Sequence, residues 1–290
     1  MWLVPSDGRQ RMNVGVFAKT FPGQRPDAVL TACRNAGFDA VQYNMTCSGL
    51  GALPADIPLA TARQVGQASE ETGIPVVAIS ATYNMTDPDI ARRQAGRQAF
   101  TAIAERAAEI GTDMLTVCSG TLDPQDKWRR HPANDDPQSW IAMCREFESL
   151  CEIADRHDIL IGVEPEPANI VSSASRAARL LAEFPDSRTG GRIRIILDPA
   201  NILEDVAPRD HHRTIDASLD LLGPAIALAH AKDRYRDGRV APAGRGIIDW
   251  YHFLRGLSGI GFAGPLIAHG MSADEAPGVA AFLTEQIAGI

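Results

Sequence analysis

Four metal-capable side chains stand at the ends of four consecutive apolar runs in the second half of the sequence. They are Glu164 after "ILIGV", Asp198 after "IRIIL", His230 after "AIALA" and His269 after "PLIA". Two carboxylates and two imidazoles supply oxygen and nitrogen ligands that can together hold one divalent cation. Taken singly, a strand-end Asp is more often a cap and a lone His is usually just hydrogen-bonded. Four such groups in succession favour a metal site.

Polar residues follow these four candidates closely and could bind the hydroxyl groups of a polyol-shaped ligand. Glu166, Asn201, Lys232 and Asp233 each lie two or three positions after a candidate ligand. A supporting role behind a ligand, or a salt bridge, is equally compatible with each position. Arg245 in "AGRGIID" could bind a carboxylate or phosphate, although exposure on a loop is the more ordinary role for such an arginine.

The first half of the chain supplies weaker candidates. The long segment from Ser119 to Ser139 carries Trp128 between charged residues. It predicts either a lid that stacks on a sugar or a contact between subunits. Five other residues are candidates only for the wall of a pocket: Lys19, Asn44, Ser80, Tyr83 and Cys118.

Eight short apolar runs, rich in β-branched residues, alternate with segments of helical period. Near-continuous apolar runs predict strands covered on both faces, and therefore a parallel sheet. Eight strand–helix units predict a closed (β/α)8 barrel in preference to an open sheet. The carboxyl ends of the strands form the active-site mouth of such a barrel, where the four candidates would meet. The runs begin at Asn13, Asp39, Val76, Asp113, Ile159, Ile193, Ala225 and Pro265.

The segments between the runs carry helix-start signals. Asp87 and Asp136 each precede a proline, which predicts a capping carboxylate before a first-turn proline. No linker, low-complexity tract or repeat divides the chain. We therefore expect one domain over residues 1–290.

Composition excludes several classes of protein. The hydrophobic fraction of 45% and the charged fraction of 22% are typical of a soluble globular chain, and the net charge of −8 leaves no basic field for nucleic acid or a membrane surface. No apolar run approaches the ~18 residues that predict a membrane span, and the short apolar start "MWLV" predicts no targeting signal. We expect a cytoplasmic protein with reduced cysteines and a small-molecule partner.

The motifs "VEPEPANIV", "ILDPAN", "AHAKD" and "AGRGIIDW", in this order and spacing, resemble the xylose isomerase-like superfamily. That group contains sugar and sugar-phosphate isomerases and epimerases, including ketose 3-epimerases, and inosose dehydratases. The resemblance runs from about Asn13 to His269 and is specific only in the second half. It implies an α/β chain folded as a single (β/α)8 TIM barrel.

The resemblance also implies a ligand set of Glu, Asp, His and Glu on barrel strands five to eight. Glu164, Asp198 and His230 match the first three positions, whereas His269 stands where relatives carry the second Glu. The expected cofactor is one divalent ion, Mn²⁺ first, with Mg²⁺, Co²⁺ or Zn²⁺ as alternatives. The family's epimerisation by two glutamates does not transfer whole. A homodimer or homotetramer is compatible with the family.

The function that follows is a metal-dependent isomerase or epimerase acting on a sugar, keto-sugar or inositol derivative. Glu164 would remove a proton beside a metal-chelated carbonyl, and His269 would be a ligand, a second base or an acid. Because His269 breaks the symmetric pair of glutamates, a dehydratase or other β-eliminating lyase is the alternative. A nuclease of the apurinic-site type and a non-catalytic barrel are weaker alternatives.

Overall fold

The computed structural model describes residues 12–185 and 191–290 of the chain. The prediction that the chain has no targeting signal was based on the apolar start "MWLV". These residues lie outside the described ranges. None of the helices in the described ranges is long and apolar enough to cross a membrane.

Eight parallel strands close into a barrel. In spatial order they run from β1 through β7 to β9, and β9 pairs with β1 to complete the circle. The short β8 is not a barrel strand, because it folds back antiparallel on the end of β7 and pairs Lys232 with Pro242. The strands are β1 (Val14–Phe17), β2 (Ala40–Tyr43), β3 (Val76–Ser80), β4 (Met114–Cys118), β5 (Leu160–Glu164), β6 (Ile193–Leu197), β7 (Ile226–Arg234), β8 (Val240–Pro242) and β9 (Leu266–Ala268).

The predicted barrel is confirmed, since seven of the eight apolar runs contain a barrel strand and the run from Ala225 contains the first five residues of β7, which continues to Arg234. The β7–β8 hairpin was not predicted. Its second strand is three residues long and begins at the half-exposed Val240, so it leaves no apolar run in the sequence.

Helices cover the outside of the barrel and bury their apolar faces against the strands. Asp136 caps its helix as predicted, by accepting a hydrogen bond from the backbone N–H of Gln138. The prediction for Asp87 was wrong, because Asp89 caps the next helix while Asp87 pairs with Arg92. The described α-helices are Pro26–Asn35, Leu59–Thr72, Ile90–Ala104, Ala107–Ile110, Pro137–His157, Ala174–Glu183, Pro199–Ile202, His211–Leu222, Trp250–Gly259 and Ala276–Ala288.

The side chains that point into the barrel are apolar in its interior and polar at its carboxyl-terminal mouth. Residues two apart on a strand share one face. A separate apolar cluster fills the interior below the mouth. Two positions further along, the same faces present polar side chains: Ala40 is followed by Gln42, Ala78 by Ser80, Met114 by Thr116, Ile196 by Asp198, Leu228 by His230 and Ile267 by His269.

Gly15 of β1 faces this crowded interior. A Cβ at Gly15 would lie 2.5 Å from Cδ1 of Ile267 and 2.9 Å from the carbonyl oxygen of Ala40. We expect Gly15→Ala to lower the free energy of unfolding by about 1–3 kcal/mol, because an overpacked interior displaces side chains or backbone. Urea unfolding followed by circular dichroism measures the change.

Gly51→Ala is the matched control, since a Cβ at Gly51 meets nothing within 4 Å. Its free energy of unfolding should stay within about 1 kcal/mol of the parent value. An equal loss in the two variants would contradict the crowding at Gly15.

Candidate active site

The structure brings the four predicted metal ligands together at the carboxyl end of the barrel. One ligand atom from each of Glu164, Asp198, His230 and His269 lies within 4.8 Å of all the others. Nδ1 of His230 is 3.1 Å from Oε1 of Glu164, and Nε2 of His269 is 3.4 Å from Oδ2 of Asp198. Within the described ranges, no other group of three or more Asp, Glu, His or Cys side chains is arranged in this way.

Two atoms of this cluster have unmet bonding capacity. Oδ2 of Asp198 and Nε2 of His269 are buried and make no well-directed hydrogen bond with any described residue, although the Lys232 ammonium lies 3.0 Å from the Asp198 oxygen. A buried polar atom without a partner costs about 1–3 kcal/mol. A cation shared by the two atoms would remove that cost, so the residues present fit a divalent metal.

The charge states of the cluster also suit a cation. Burial opposes ionisation of Asp198, but Lys232 and the two histidines outweigh it and hold the pKa of Asp198 well below its ordinary value. Burial also opposes ionisation of Glu164, but the neighbouring His230 and Lys232 outweigh it, so the pKa of Glu164 is lowered. Burial and the neighbouring His230 lower the pKa of His269, which favours the neutral imidazole. The cluster therefore offers two carboxylates and a neutral ring nitrogen.

Gln42 fixes the orientation of the His230 ring. Its side-chain oxygen lies 2.9 Å from Nε2 of His230, while its side-chain nitrogen donates to Oγ1 of Thr116 at 3.2 Å. Since an amide oxygen only accepts, Nε2 of His230 donates to Gln42, which leaves Nδ1, 3.1 Å from Oε1 of Glu164, as the ring atom that would ligate a cation. We had not identified Gln42 or Thr116 from the sequence, where each appears only as a polar residue inside an apolar strand.

Asn201 and Lys232 support the ligands from behind. The amide nitrogen of Asn201 donates to Oε1 of Glu164 at 2.9 Å and to Oε2 of Glu166 at 2.8 Å, and its oxygen accepts from Lys232 at 2.7 Å. The two glutamates therefore lie side by side. Burial and the charge of Glu164 raise the pKa of Glu166 to about 7.

A cavity of about 590 Å³ opens above the cluster. Glu164, Glu166, His230, Lys232 and His269 line one side of it, whereas Asp198 is fully buried beneath. Other residues of the lining come from the first half of the chain, including the predicted wall residues Lys19, Asn44, Ser80 and Cys118.

Asn201, predicted to bind substrate, is buried behind the glutamates and, like Asp198, does not line this cavity; three other predicted site residues also lie outside it. Tyr83 is buried next to it, and its hydroxyl donates to Glu146 at 2.5 Å. Asp233 is fully buried. Its carboxylate accepts hydrogen bonds from the backbone N–H groups of Gly244 and Ile248 and from the indole N–H of Trp250, and so it stabilises the segment that follows β8.

Arg245 is the third, and it is exposed. It lines a larger, shallow groove of about 1430 Å³ beside the β7–β8 hairpin, which contains none of the four metal-capable residues. The structure therefore places neither Asp233 nor Arg245 where it could touch a substrate held in the cavity.

The long segment from Ser119 to Ser139 reaches over the cavity. Lys127 and Trp128 line its wall, and the Trp128 ring remains half exposed. Hydrogen bonds fix the segment at its base: Gly120 donates to Asn169, and Thr121 to Asn84. An Arg129–Asp123 ion pair closes the turn that carries Lys127 and Trp128.

Comparisons with known proteins agree with the geometry. A family model described as xylose isomerase-like TIM barrel matches residues 30–285. No curated protein matches the chain in sequence. Among solved structures, the apo form of the 3-keto-D-glucoside 4-epimerase YcjR from E. coli is 18% identical, with a TM-score of 0.71 over 95% of this chain and 100% of that one.

Two further solved structures illustrate the range of relatives. The probable 3-DHS dehydratase AsbF from Bacillus anthracis is 15% identical, with a TM-score of 0.72 over 94% of this chain and 99% of that one. The IOLI protein, solved with a bound zinc atom, is 16% identical, with a TM-score of 0.69 over 95% and 98% of the two chains. Likeness at these identities shows a shared fold.

The contact between Gln42 and His230 predicts a measurable effect on metal affinity. We expect Gln42→Leu to weaken binding of Mn²⁺ or Zn²⁺ about 10- to 100-fold, because the ring loses the acceptor that fixes its tautomer. Competition with a chromophoric chelator measures the affinity. Gln67→Leu, on an exposed helix where Gln67 only bonds Glu71, should bind metal like the parent. Equal affinity of the Gln42 variant and the parent would contradict the orienting role.

Proposed function

The chain belongs to the xylose isomerase-like TIM barrel family, and from this we propose that it is a metal-dependent isomerase or epimerase acting on a sugar, keto-sugar or inositol derivative. The observation that carries the proposal is the convergence of Glu164, Asp198, His230 and His269 beneath one cavity. The described relatives include an epimerase and a dehydratase, which supports chemistry at a carbon beside a carbonyl.

Asp198, His230 and His269 would hold the cation together with Glu164. A divalent cation bound there would polarise a substrate carbonyl and acidify the adjacent C–H. Mn²⁺ is our first choice, and the zinc in the IOLI structure supports Zn²⁺ as the alternative.

Glu164 is the proposed base. Oε1 of Glu164 accepts a hydrogen bond from the side-chain amide of Asn201 and lies 3.1 Å from Nδ1 of His230. Oε2 lies 4.0 Å from Sγ of Cys118, which also lines the cavity, and so it remains available to accept a proton from a bound substrate. The lowered pKa of Glu164 keeps this carboxylate ionised at neutral pH.

The presence of His269 in the site supports a second candidate function, that of a dehydratase or other β-eliminating lyase. The family resemblance implies a second glutamate at this position, and the lowered pKa of His269 favours a neutral ring. Glu166 does not restore an opposing base, because it shares the Asn201 amide with Glu164 and lies on the same side. A site with carboxylates on one side returns a proton most readily to the face from which it was taken, or expels a β-substituent.

Removal of one ligand tests the metal-dependent reaction. We expect Asp198→Ala to abolish metal binding and solvent-deuterium exchange into keto-sugars and inososes together, because it deletes a charged ligand. Metal content and NMR of recovered substrate are the two measurements. Asp155→Ala, which removes a surface partner of Arg192, should retain both properties. Exchange that persists in the Asp198 variant without bound metal would refute the proposal.

The product distinguishes one-base from two-base chemistry. In deuterated water with added Mn²⁺, we expect an isomer with deuterium delivered to one face, or an eliminated product, in preference to rapid epimerisation. NMR of substrate and product reports both outcomes. Efficient inversion at a single carbon, with no isomer and no eliminated product, would mean that another group replaces the missing glutamate.

A further inference from the structure

The lysines of this chain are confined to one place. Of its 28 basic residues other than histidine, 25 are arginines and three are lysines, Lys19, Lys127 and Lys232. All three lysines line the cavity above the metal-ligand cluster, and none of the arginines in residues 12–185 and 191–290 lines it. They come from three distant parts of the sequence, so the fold gathers them. Every lysine ammonium group of the chain is therefore found at this one cavity.

Lys232 is already engaged by the protein. Its ammonium lies 3.0 Å from Oδ2 of Asp198 and donates to Oδ1 of Asn201 at 2.7 Å. It is also almost fully buried. Lys232 thus serves the ligand cluster and has little capacity left for a substrate.

Lys19 and Lys127 are differently placed, since neither forms an ion pair with a carboxylate of the described residues. Lys127 donates to the carbonyl oxygen of Thr82 at 3.2 Å and lies 5.1 Å from the centre of the Trp128 ring. Lys19 lies 4.9 Å from the centre of the Phe17 ring. An ammonium group has three donors. Most of the donors of these two lysines are therefore free to face the cavity.

The two arginines of the segment from Ser119 to Ser139 do have carboxylate partners. Arg129 pairs with Asp123 at 2.6 Å, and Arg130 pairs with Asp135 at 2.6 Å. Lys127, two positions before Arg129, has no such partner among the described side chains. Burial lowers the pKa of Lys127, and the nearby charge of Lys19 adds to that effect. Two neighbouring cations without counter-charges are unfavourable in the free protein, and an incoming anion would relieve them.

We propose that Lys19 and Lys127 together bind an anionic group of the substrate, a carboxylate or a phosphate, while the metal-ligand cluster holds its reacting end. This inference rests on the proposed function, because it assigns the substrate class of the same cavity. Lys19 follows β1 and Lys127 follows β4, whereas the metal-capable residues lie at the ends of β5, β6, β7 and β9. The anionic group is therefore at the end of the substrate remote from the carbonyl.

The three-lysine composition gives a direct spectroscopic test. Full-length protein grown with lysine labelled by ¹³C at Cε should give one side-chain resonance for each lysine, assigned through Lys→Gln variants. The probes are D-fructose, D-fructuronate and D-fructose 6-phosphate, which share a ketone and differ at the far end. We expect the Lys19 and Lys127 resonances to shift with one or both anionic probes and not with D-fructose.

Affinity provides the second measurement, by calorimetry on metal-free protein. At least one anionic probe should bind about tenfold or more tightly than D-fructose, since charge-assisted hydrogen bonds are worth more than neutral ones. A gain for D-fructuronate alone identifies a carboxylate site, and a gain for D-fructose 6-phosphate alone identifies a phosphate site. The Lys19→Gln/Lys127→Gln double variant should lose this gain and bind D-fructose unchanged.

Arg130→Gln is the matched control, because it removes one positive charge from the same segment outside the cavity lining. It should retain the preference for the anionic probe.

If neither anionic probe shifts the Lys19 and Lys127 resonances, or if the double variant keeps the preference, the inference is wrong. Deuterium exchange into D-fructose with no anion preference would refute this inference alone. Anion preference in a protein that never catalyses exchange would refute the proposed function alone.

Discussion

The buried carboxylate of Asp198 is the constraint around which the mouth of this barrel is organised. A carboxylate with no exposed surface is strongly unfavourable unless positive charge or hydrogen bonds surround it. Lys232 and the two histidines supply that environment, and Asn201 in turn holds Lys232 and both glutamates. The protein atoms nevertheless leave Oδ2 without a well-directed hydrogen bond. A divalent cation bound beside Asp198 would meet this unsatisfied capacity, which is why the cluster could hold a metal ion.

The barrel makes this concentration of charge possible because its strands alternate faces. Ile196 and Leu228 pack in the apolar interior, and two residues later Asp198 and His230 emerge on the same side at the mouth. The apolar layer beneath excludes water and rigidly positions the polar layer above. The free-energy cost of burying the Asp198 carboxylate is thus offset by the apolar packing of other residues in the same strands.

The sequence was sufficient to predict the eight barrel strands and the residues that cluster, because strand ends are marked by a change from apolar to polar residues. It was not sufficient to decide which polar residue after a strand faces inward. Asp198 and Asp233 both follow a strand core, yet Asp198 joins the cluster while Asp233 turns away to bind the backbone of Gly244 and Ile248. Gln42 was missed for a related reason, since its role depends on contact with a residue 188 positions away.

His269 and the unpaired lysines can be understood together through charge. Two carboxylates and two imidazoles, which are neutral when they ligate a metal, would balance the charge of a divalent cation, whereas a second glutamate in place of one imidazole would leave one negative charge in excess. Lys19 and Lys127 add positive charge on the opposite side of the same cavity. Both features make the electrostatic potential of the cavity more positive, which favours an anionic ligand. The residue that weakens the case for two-base epimerisation therefore also strengthens the case for a substrate that carries its own negative charge.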